Sequence, residues 1–458
     1  MRVAELGCRR VAVWGLGREG RAAVGFLRKR HPRLPLVMLD DADGQPEELG
    51  GAIDYAFGAD AIARALEDVE VIIKSPGVSL YRPEIRTALG KGVHVTSLLN
   101  LWFAENYDLK TICVTGTKGK STTASLIAYI LTQLGRRSAL AGNIGVAITE
   151  IDDASAEFAV IEVSSYQAAD FDGVCDVALL SSLYPEHIDW HLSVDNYFGD
   201  KINLLKHCKY QVVDRDVATT VDRFISPSWA QALFFNGTSD IHSSGTQICD
   251  GRRVVGKIRN PYLERPHNRS NLCAALAVLK IFGIDVAAAL TAAEGFRGLP
   301  HRQQELGEID GVLFVDDSIA TIPEATIAAL AVYCGRDIAV ILGGHDRGID
   351  YTRLIDTVLA GAAKAVICLG ASGQRIYALA QATADRRQPA ACALHCARSM
   401  AEAVAFAQRV TPPGGVVLLS PAAPSYGQYR NYIERGRDFA VKAGFPASPQ
   451  IGSHSSLE

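Results

Sequence analysis

The sequence predicts an α/β protein of three domains with mostly parallel sheets, and two observations carry that prediction. Short β-branched runs repeatedly give way to a small or polar turn and then to a helical pattern. Two of those turns, about a hundred residues apart, are rich in glycine in the manner of nucleotide loops. At 458 residues the chain is too long for one core, and 48% hydrophobic with 21% charged residues is an ordinary globular composition. A formal net charge of −4 argues against general affinity for nucleic acid or membrane surfaces. No apolar run approaches the ~20 residues that span a bilayer, and the start, Met1-Arg2-Val3-Ala4-Glu5, lacks a signal-peptide core. Ten scattered cysteines, some inside predicted strands (Cys113, Cys368), fit the reduced thiols of a cytoplasmic protein. Cys392, His395 and Cys396 have no second ligand pair at zinc-site spacing and read as core or surface.

The first domain opens with the strand Val11-Ala12-Val13-Trp14, the turn Gly15-Leu16-Gly17-Arg18-Glu19-Gly20 and a helix from Arg21 to Leu27. This is G-x-G-x-x-G between strand and helix, and Asp40 ends the next strand, Leu36 to Leu39, twenty residues past the last glycine. An acidic side chain there can bond a ribose, so the segment alone reads as a dinucleotide dehydrogenase. No hydride-acceptor site accompanies it, and the glycines can equally cradle another nucleotide's diphosphate. A further strand, Val71-Ile72-Ile73-Lys74, runs into Ser75-Pro76-Gly77, and Val93-His94-Val95-Thr96 closes the unit.

In the central domain the strand Thr111-Ile112-Cys113-Val114 leads into T-G-T-K-G-K-S-T-T, Thr115 to Thr123, and then a helix, Ala124 to Leu131. Gly116 and Gly119 allow a tight turn whose N–H groups point inward, and the helix start adds positive potential. Lys120 can reach terminal phosphates, and a Ser121 or Thr122 hydroxyl can hold Mg²⁺. The common P-loop has a glycine where this chain has Val114, so the match is partial. Strand Phe158 to Val163 presents Glu162, and strand Val177 to Leu180 precedes Pro185-Glu186-His187-Ile188-Asp189-Trp190-His191. Both lie where open α/β sheets bind ligands, beyond the strand carboxyl ends. His187 and His191 are four apart, as in a helical zinc site, but no glutamate follows the first, and His191 reads as a packing or capping histidine.

Lys201 is read as the start of a helical stretch to His207, and 211–257 as irregular and strand-like. Pro266 to Asn271 opens an alanine-rich helix, Leu272 to Phe282, and Asn268 and Asn271 are either caps or contacts to a base or ribose. Gly298-Leu299-Pro300-His301-Arg302 has the composition of a hinge. Beyond it, strands Val312–Val315, Ile338–Leu342, Ala365–Leu369 and Val416–Leu419 each end in small or polar residues, and Pro323 starts a helix at its first position. These make a third α/β domain, followed by a loose polar tail from Ser448.

The motifs taken together resemble the Mur ligase family, in its MurD-like, glutamate-adding branch. They are G-T-K-G-K-S-T at 116–122, A-G-N-I-G at 141–145, E-V-S-S-Y-Q at 162–167, P-E-H-I-D-W-H at 185–191 and H-N-R-S-N at 267–271. G-L-P-H-R at 298–302, D-D-S-I-A-T at 316–321, I-L-G-G-H-D-R-G at 341–348 and L-L-S-P-A-A-P-S-Y-G-Q-Y at 418–429 complete the series. The resemblance implies a Rossmann-like N-terminal domain (1–96) for a UDP-linked substrate. It also implies a central P-loop-type ATPase domain (97–300) and a Rossmann-like, amino-acid-binding C-terminal domain (301–458). It further implies ATP- and Mg²⁺-dependent peptide-bond formation through an acyl phosphate, in peptidoglycan precursor synthesis.

By the same resemblance, Gly15, Leu16, Gly17, Asp40, Ser75, Pro76, Gly77 and Asn143 would contact the UDP-N-acetylmuramoyl substrate. Gly116, Thr117, Lys118, Gly119, Lys120, Ser121 and Thr122, with Asn271, Arg302 and Asp317, would bind ATP, bridging the middle and last domains. Ser121, Glu162, His187 and a carbamylated Lys201 would serve Mg²⁺, with Lys120, His187 and Lys201 as the catalytic set. Thr321, Arg347, Ser425 and Tyr432 match the amino-acid pocket.

Two departures stand out there. The usual D-S-K-A-T-N is Asp317-Ser318-Ile319-Ala320-Thr321-Ile322, and S-x-D-Q-F is Ser425-Tyr426-Gly427-Gln428-Tyr429. With V-W-G-L-G-R-E-G at the N-terminus, this looks like the variant that adds L-glutamate to UDP-N-acetylmuramoyl-L-alanine and leaves inversion to a separate epimerase. A monomer without nucleic-acid or membrane partners is expected. The competing readings are a D-glutamate-adding enzyme, an NAD-dependent oxidoreductase and a non-catalytic nucleotide-binding module. The last is disfavoured because Lys120, Glu162, His187 and Lys201 are all present.

Overall fold

The computed structural model describes residues 1–446, apart from residues 8, 43–48, 50–51, 106–107, 145, 152–154, 226–230 and 386–391. The tail from Ser448 and Gly145 of the A-G-N-I-G motif therefore lie outside the described residues. The chain forms two compact units that part between Phe296 and Arg297.

The first unit carries two sheets. One consists of β1 (Val11–Trp14), β2 (Leu36–Asp40), β3 (Ile53–Phe57), β4 (Val71–Lys74) and β5 (His94–Thr96), in the order β3-β2-β1-β4-β5. All its pairings are parallel, and β1 and β4 are buried along their whole length, which is why neither shows polar alternation. The strand order reverses at β1, so the crevice beyond β1 and β4 is the ligand-binding edge of an open parallel sheet. Gly15 and Ser75 stand at that edge. The helix after β1 runs Arg18–Arg30, one turn earlier than its apolar pattern indicates.

The second sheet holds β6 (Lys110–Thr115), β7 (Ser138–Gly142), β8 (Phe158–Glu162), β9 (Cys175–Leu180), β10 (Cys208–Asp214), β11 (Ala232–Phe235), β12 (Ile241–Ser244), β13 (Gln247–Asp250) and β14 (Arg253–Lys257). Their order is β14-β13-β12-β11-β10-β9-β6-β8-β7, parallel except for the β12-β13-β14 meander. The meander explains why 211–257 looked irregular: its outer strand β14 has no fully buried residue and so carries little hydrophobic signal. The helix Lys120–Gln133 packs in one apolar cluster with the sheet and the helix Pro266–Ile281, and its burial from Ser121 to Ala128 leaves no amphipathic stripe to read.

Two further helix boundaries differ from expectation. The helix Pro266–Ile281 starts six residues before Leu272, because Pro266 occupies its first position, where no N–H is needed. Asn268 and Asn271 are thus inside the helix rather than capping it. Lys201 lies near the end of the helix Val194–Ile202, which Ser193 caps by accepting from Asn196 N, and is not a helix start.

The second unit contains β15 (Gln304–Ile309), β16 (Val312–Asp316), β17 (Ile338–Leu342), β18 (Ala365–Leu369), β19 (Ala393–Ala397) and β20 (Val416–Leu419), ordered β15-β16-β20-β17-β18-β19. Only β15 is antiparallel. The helix Pro323–Val332 begins with its proline as expected. No helix among the described residues is long and apolar enough to cross a membrane.

Candidate active site

The loop after β6 is built by its two glycines. Gly116 has φ +147° and Gly119 φ +83°, conformations that side chains disfavour, and a Cβ on either would strike Ser181 Oγ or Asn271 Oδ1 respectively. The loop is pinned to the segment after β9. Thr117 N donates to Ser182 O (2.9 Å), Lys118 N to Ser182 Oγ (2.9 Å), and Ser181 Oγ to Lys118 O (2.8 Å). Lys120 Nζ donates to Gly116 O (2.9 Å) and Thr117 O (3.1 Å), and Lys201 Nζ donates to the same Gly116 O (2.9 Å) from across the site. Two lysine nitrogens converge on one carbonyl, and the Lys120 ammonium makes that corner suited to phosphate. Ser121 and Thr122 are buried in the first helical turn. Asn271 backs the loop, accepting from Thr123 Oγ1 (3.2 Å) and donating to Asn268 Oδ1 (3.1 Å).

Glu162 ends β8 in register with Val114, which brings its carboxylate to the loop across one strand spacing. It is 1% exposed; Oε1 accepts from Asn143 Nδ2 (3.2 Å), and Oε2 has no hydrogen-bond partner among the described residues. A buried carboxylate oxygen left in that state suits a cation ligand. Lys201 is equally buried, and burial followed by repulsion from Lys120 holds its ammonium well below the ordinary lysine range. His187 has a left-handed backbone (φ +56°) at the start of the short helix Ile188–His191. Burial and the charges of Lys201 and Lys120 lower its pKa against the pull of Glu186. A metal reading of His191 finds no support: its Nδ1 pairs with Asp200 Oδ2 (2.6 Å) and its Nε2 with Ser165 Oγ (3.0 Å), and no metal-binding cluster of His, Cys, Asp and Glu occurs among the described residues.

Lys120, His187 and Lys201 share a cavity of about 670 Å³ with the first sheet's ligand edge. Gly15, Gly17, Ser75, Pro76 and Gly77 line it on one side, and Lys120, Asn143, His187 and Lys201 on the other. Asp40 does not line the cavity; it closes the glycine turn, accepting from Leu16 N (2.6 Å) and Ala42 N (3.0 Å), while its neighbour Asp41 reaches the cavity wall. Gly15 has φ +104°, and its own Cβ would lie 2.8 Å from Ser75 Cβ and Oγ, so only glycine fits between the two turns.

In the second unit, the loops after β16, β20 and β17 meet because those strands are neighbours. Asp317 is buried, accepts from Gln303 N (3.1 Å) and Ser420 Oγ (2.7 Å), and burial raises its pKa to about 7 despite those bonds and Arg302. Ser318 Oγ donates to Tyr432 O (2.8 Å), and His345 N donates to Pro424 O (2.8 Å) beside Ser425. Thr321 and Ser425 thus belong to loops that hydrogen bonds join to each other's neighbours and to Tyr432, the first residue of the helix Tyr432–Lys442, whereas Arg347 is exposed. Ile322 is exposed as well, at 46%. Three functional positions escaped the sequence reading. Tyr197 lines the cavity and shares a hydrogen bond with Thr117 Oγ1 (2.9 Å), and Glu186 pairs with Lys118 Nζ (2.7 Å). Arg435, fully buried, donates to Ser318 Oγ (3.0 Å), Ser318 O (2.7 Å) and Ala423 O (3.0 Å), clamping two of the loops. No local pattern marks Tyr197 or Arg435, and Glu186 stands inside the quoted motif at 185–191 without a role of its own.

Comparison with known proteins agrees with this arrangement. The MurD-like N-terminal domain of Mur ligases matches residues 9–97, the Mur ligase middle domain 114–279, and the Mur ligase glutamate ligase domain 301–423. The UDP-N-acetylmuramoyl-L-alanine--L-glutamate ligase of Xanthomonas axonopodis pv. citri (strain 306) is 38% identical over 97% of this chain and 97% of its own. The protein of that name from Salinispora tropica is 40% identical over 96% of this chain and 98% of its own. Among solved structures, MurF from Acinetobacter baumannii superposes with a TM-score of 0.59 at 17% identity, covering 90% of this chain and 92% of its own. MurC from Thermotoga maritima gives 0.54 at 18%, covering 95% and 99%. The two structures speak for the fold and the two sequences for descent, and the chain belongs to the Mur ligase family of ATP-dependent, amide-forming ligases.

Proposed function

We propose that this enzyme joins L-glutamate to UDP-N-acetylmuramoyl-L-alanine, releasing ADP and phosphate. The observation that carries the reading is the paired lysine corner, Lys120 and Lys201 on Gly116 O, opening into the same cavity as Ser75-Pro76-Gly77. A UDP-linked carboxylate held by the first sheet's edge would there meet the γ-phosphate of ATP on the loop Gly116–Thr122. Its oxygen attacks phosphorus, ADP leaves, and the acyl phosphate forms. The amine of glutamate then attacks the carbonyl carbon, and phosphate departs from the tetrahedral intermediate. Lys120 offsets charge that builds on the transferred phosphoryl group.

Mg²⁺ fits the cation-ready corner: Ser121, Glu162, His187 and Lys201 would hold it, and it would supply charge neutralisation at the phosphates. Lys201 suits the role only as a carbamate, since an ammonium repels the ion. Its depressed pKa favours the neutral amine that reacts with CO₂. Within the second unit, Asp317 and Arg302 are assigned to ATP, and Thr321, Arg347, Ser425 and Tyr432 to the amino acid, with Arg347 pairing with a carboxylate. We assign domain limits of 1–96, 97–300 and 301–458, monomeric action in the cytoplasm, and delivery of the product to a glutamate epimerase.

The L enantiomer is supported by the names of the relatives and by Ile319 and Ile322, where D-glutamate-adding enzymes are expected to have a cation and an amide. The deciding measurement is ADP release with UDP-N-acetylmuramoyl-L-alanine and each glutamate enantiomer. Turnover with L-glutamate and little with D-glutamate is expected, and the reverse would overturn the assignment.

A further inference from the structure

Lys74 is the last residue of β4, and its side chain is 1% exposed; that of Asp170 is 6% exposed, with Oδ2 3.1 Å from Lys74 Nζ. The contact is an ion pair by distance, and Lys74 Nζ and both Asp170 carboxylate oxygens lack a further well-aligned hydrogen-bond partner among the described residues. Burial raises the Asp170 pKa and the Lys74 ammonium pulls it back. A buried pair this poorly satisfied stabilises a protein no better than two apolar side chains of the same volume, so stability does not account for it. Its place in the chain does. Lys74 immediately precedes Ser75-Pro76-Gly77, which line one wall of the cavity, and Asp170 follows Ser164–Gln167, which line the facing wall, by three residues.

Further contacts tie the stretch from Lys74 to Tyr81 to other parts of the central domain. Trp190 Nε1 donates to Pro76 O (3.1 Å) and Gly77 O (3.3 Å), and Ser79 Oγ donates to Trp190 O (2.9 Å). Lys74 Nζ lies 5.7 Å from the centre of the Trp190 ring. Tyr81 OH donates to Asp200, next to Lys201, at 3.0 Å. The turn that lines the cavity is therefore tied to three segments of the central domain, at Asp170, Trp190 and Asp200.

We infer that Lys74 and Asp170 are positioning residues for the UDP-linked substrate, a buried pair that sets the spacing between the two walls of its pocket. The inference rests on the reading of this cavity as the UDP-substrate site. It is tested on the full-length protein by steady-state ADP release, with UDP-N-acetylmuramoyl-L-alanine and ATP varied in turn, alongside thermal melts of the ligand-free protein. The variants are Asp170→Asn, Lys74→Met and the double variant Lys74→Met/Asp170→Leu. Asp170→Asn is expected to raise KM for the UDP substrate on the order of tenfold or more, because a shifted wall weakens the hydrogen bonds that hold that substrate. Its kcat and its KM for ATP should stay within about twofold, as fits lost uniform binding of one substrate. The double variant should recover the melting temperature without recovering that KM. An unchanged KM in Asp170→Asn, a fall in kcat alone, or recovery of KM together with stability in the double variant would each overturn the inference. Should Lys74→Met fail to fold, the near-isosteric Asp170→Asn and the double variant still decide. A wild-type protein that releases no ADP in response to the UDP substrate would overturn the underlying reading and this inference together, whereas an active wild type with unmoved KM values in the variants overturns this inference alone.

Discussion

In the first sheet Gly15 leaves β1 with φ +104°, and in the second Gly116 leaves β6 with φ +147°, each between a buried strand and the start of a helix. The first turn is closed by a carboxylate, Asp40, which takes the N–H of Leu16, and by Ser75, whose hydroxyl donates to Gly15 O at 3.2 Å. The second is closed by the side-chain nitrogens of Lys120 and Lys201, which share Gly116 O. On the proposed function, one backbone device serves two purposes. Where it only has to grip a diphosphate, neutral backbone N–H groups and a helix start suffice. Where phosphate would be transferred, the Lys120 ammonium stands in place before the reaction begins.

The comparison breaks most visibly at Lys120. Replacing it with Ala should lower kcat for ADP release by about 10²–10³-fold or more while the protein stays folded by circular dichroism. A change of a few-fold would mean that the second turn, like the first, is only a grip. Lys201→Ala should cost on the order of 100-fold, and short carboxylic acids should restore part of the rate by standing in for the carbamate carboxylate. Activity that neither bicarbonate nor acetate alters would leave Lys201 as a purely structural donor to Gly116. The smallest effect belongs to the first turn. Asp40→Asn keeps an acceptor for one of its two backbone N–H donors, so KM for the UDP substrate should rise about three- to tenfold with kcat unchanged, the worth of roughly one hydrogen bond. A loss of kcat there would show that the first turn also shapes the chemistry.

Most of the site was legible locally. Gly116, Gly119, Lys120 and Ser121 act within one turn, so their spacing in the chain is their spacing in space, and the same holds for Gly15 and Gly17. Strands such as β1, β6, β8 and β16, buried on both faces, announced themselves as unbroken apolar runs. The half-exposed strands β3 and β19 did not, because mixed burial dilutes the hydrophobic signal. Asn268 and Asn271 were ambiguous for another reason: a proline at the first helical position extends a helix backwards over polar residues whose pattern resembles a cap.

By itself the sequence determined where nucleotide-type turns form, which residues there carry charge, and which family the order of motifs resembles. These follow from φ/ψ preferences and donor chemistry of residues adjacent in the chain. The tertiary structure alone decided which distant groups face those turns. Glu162 reaches the loop because β8 pairs with β6, and Lys201 finds Gly116 O from 85 residues away. Asp41 rather than Asp40 meets the cavity, and Lys74 meets Asp170 behind it. Such pairings depend on strand order and on the seating of one sheet against another, and no spacing along the chain encodes either.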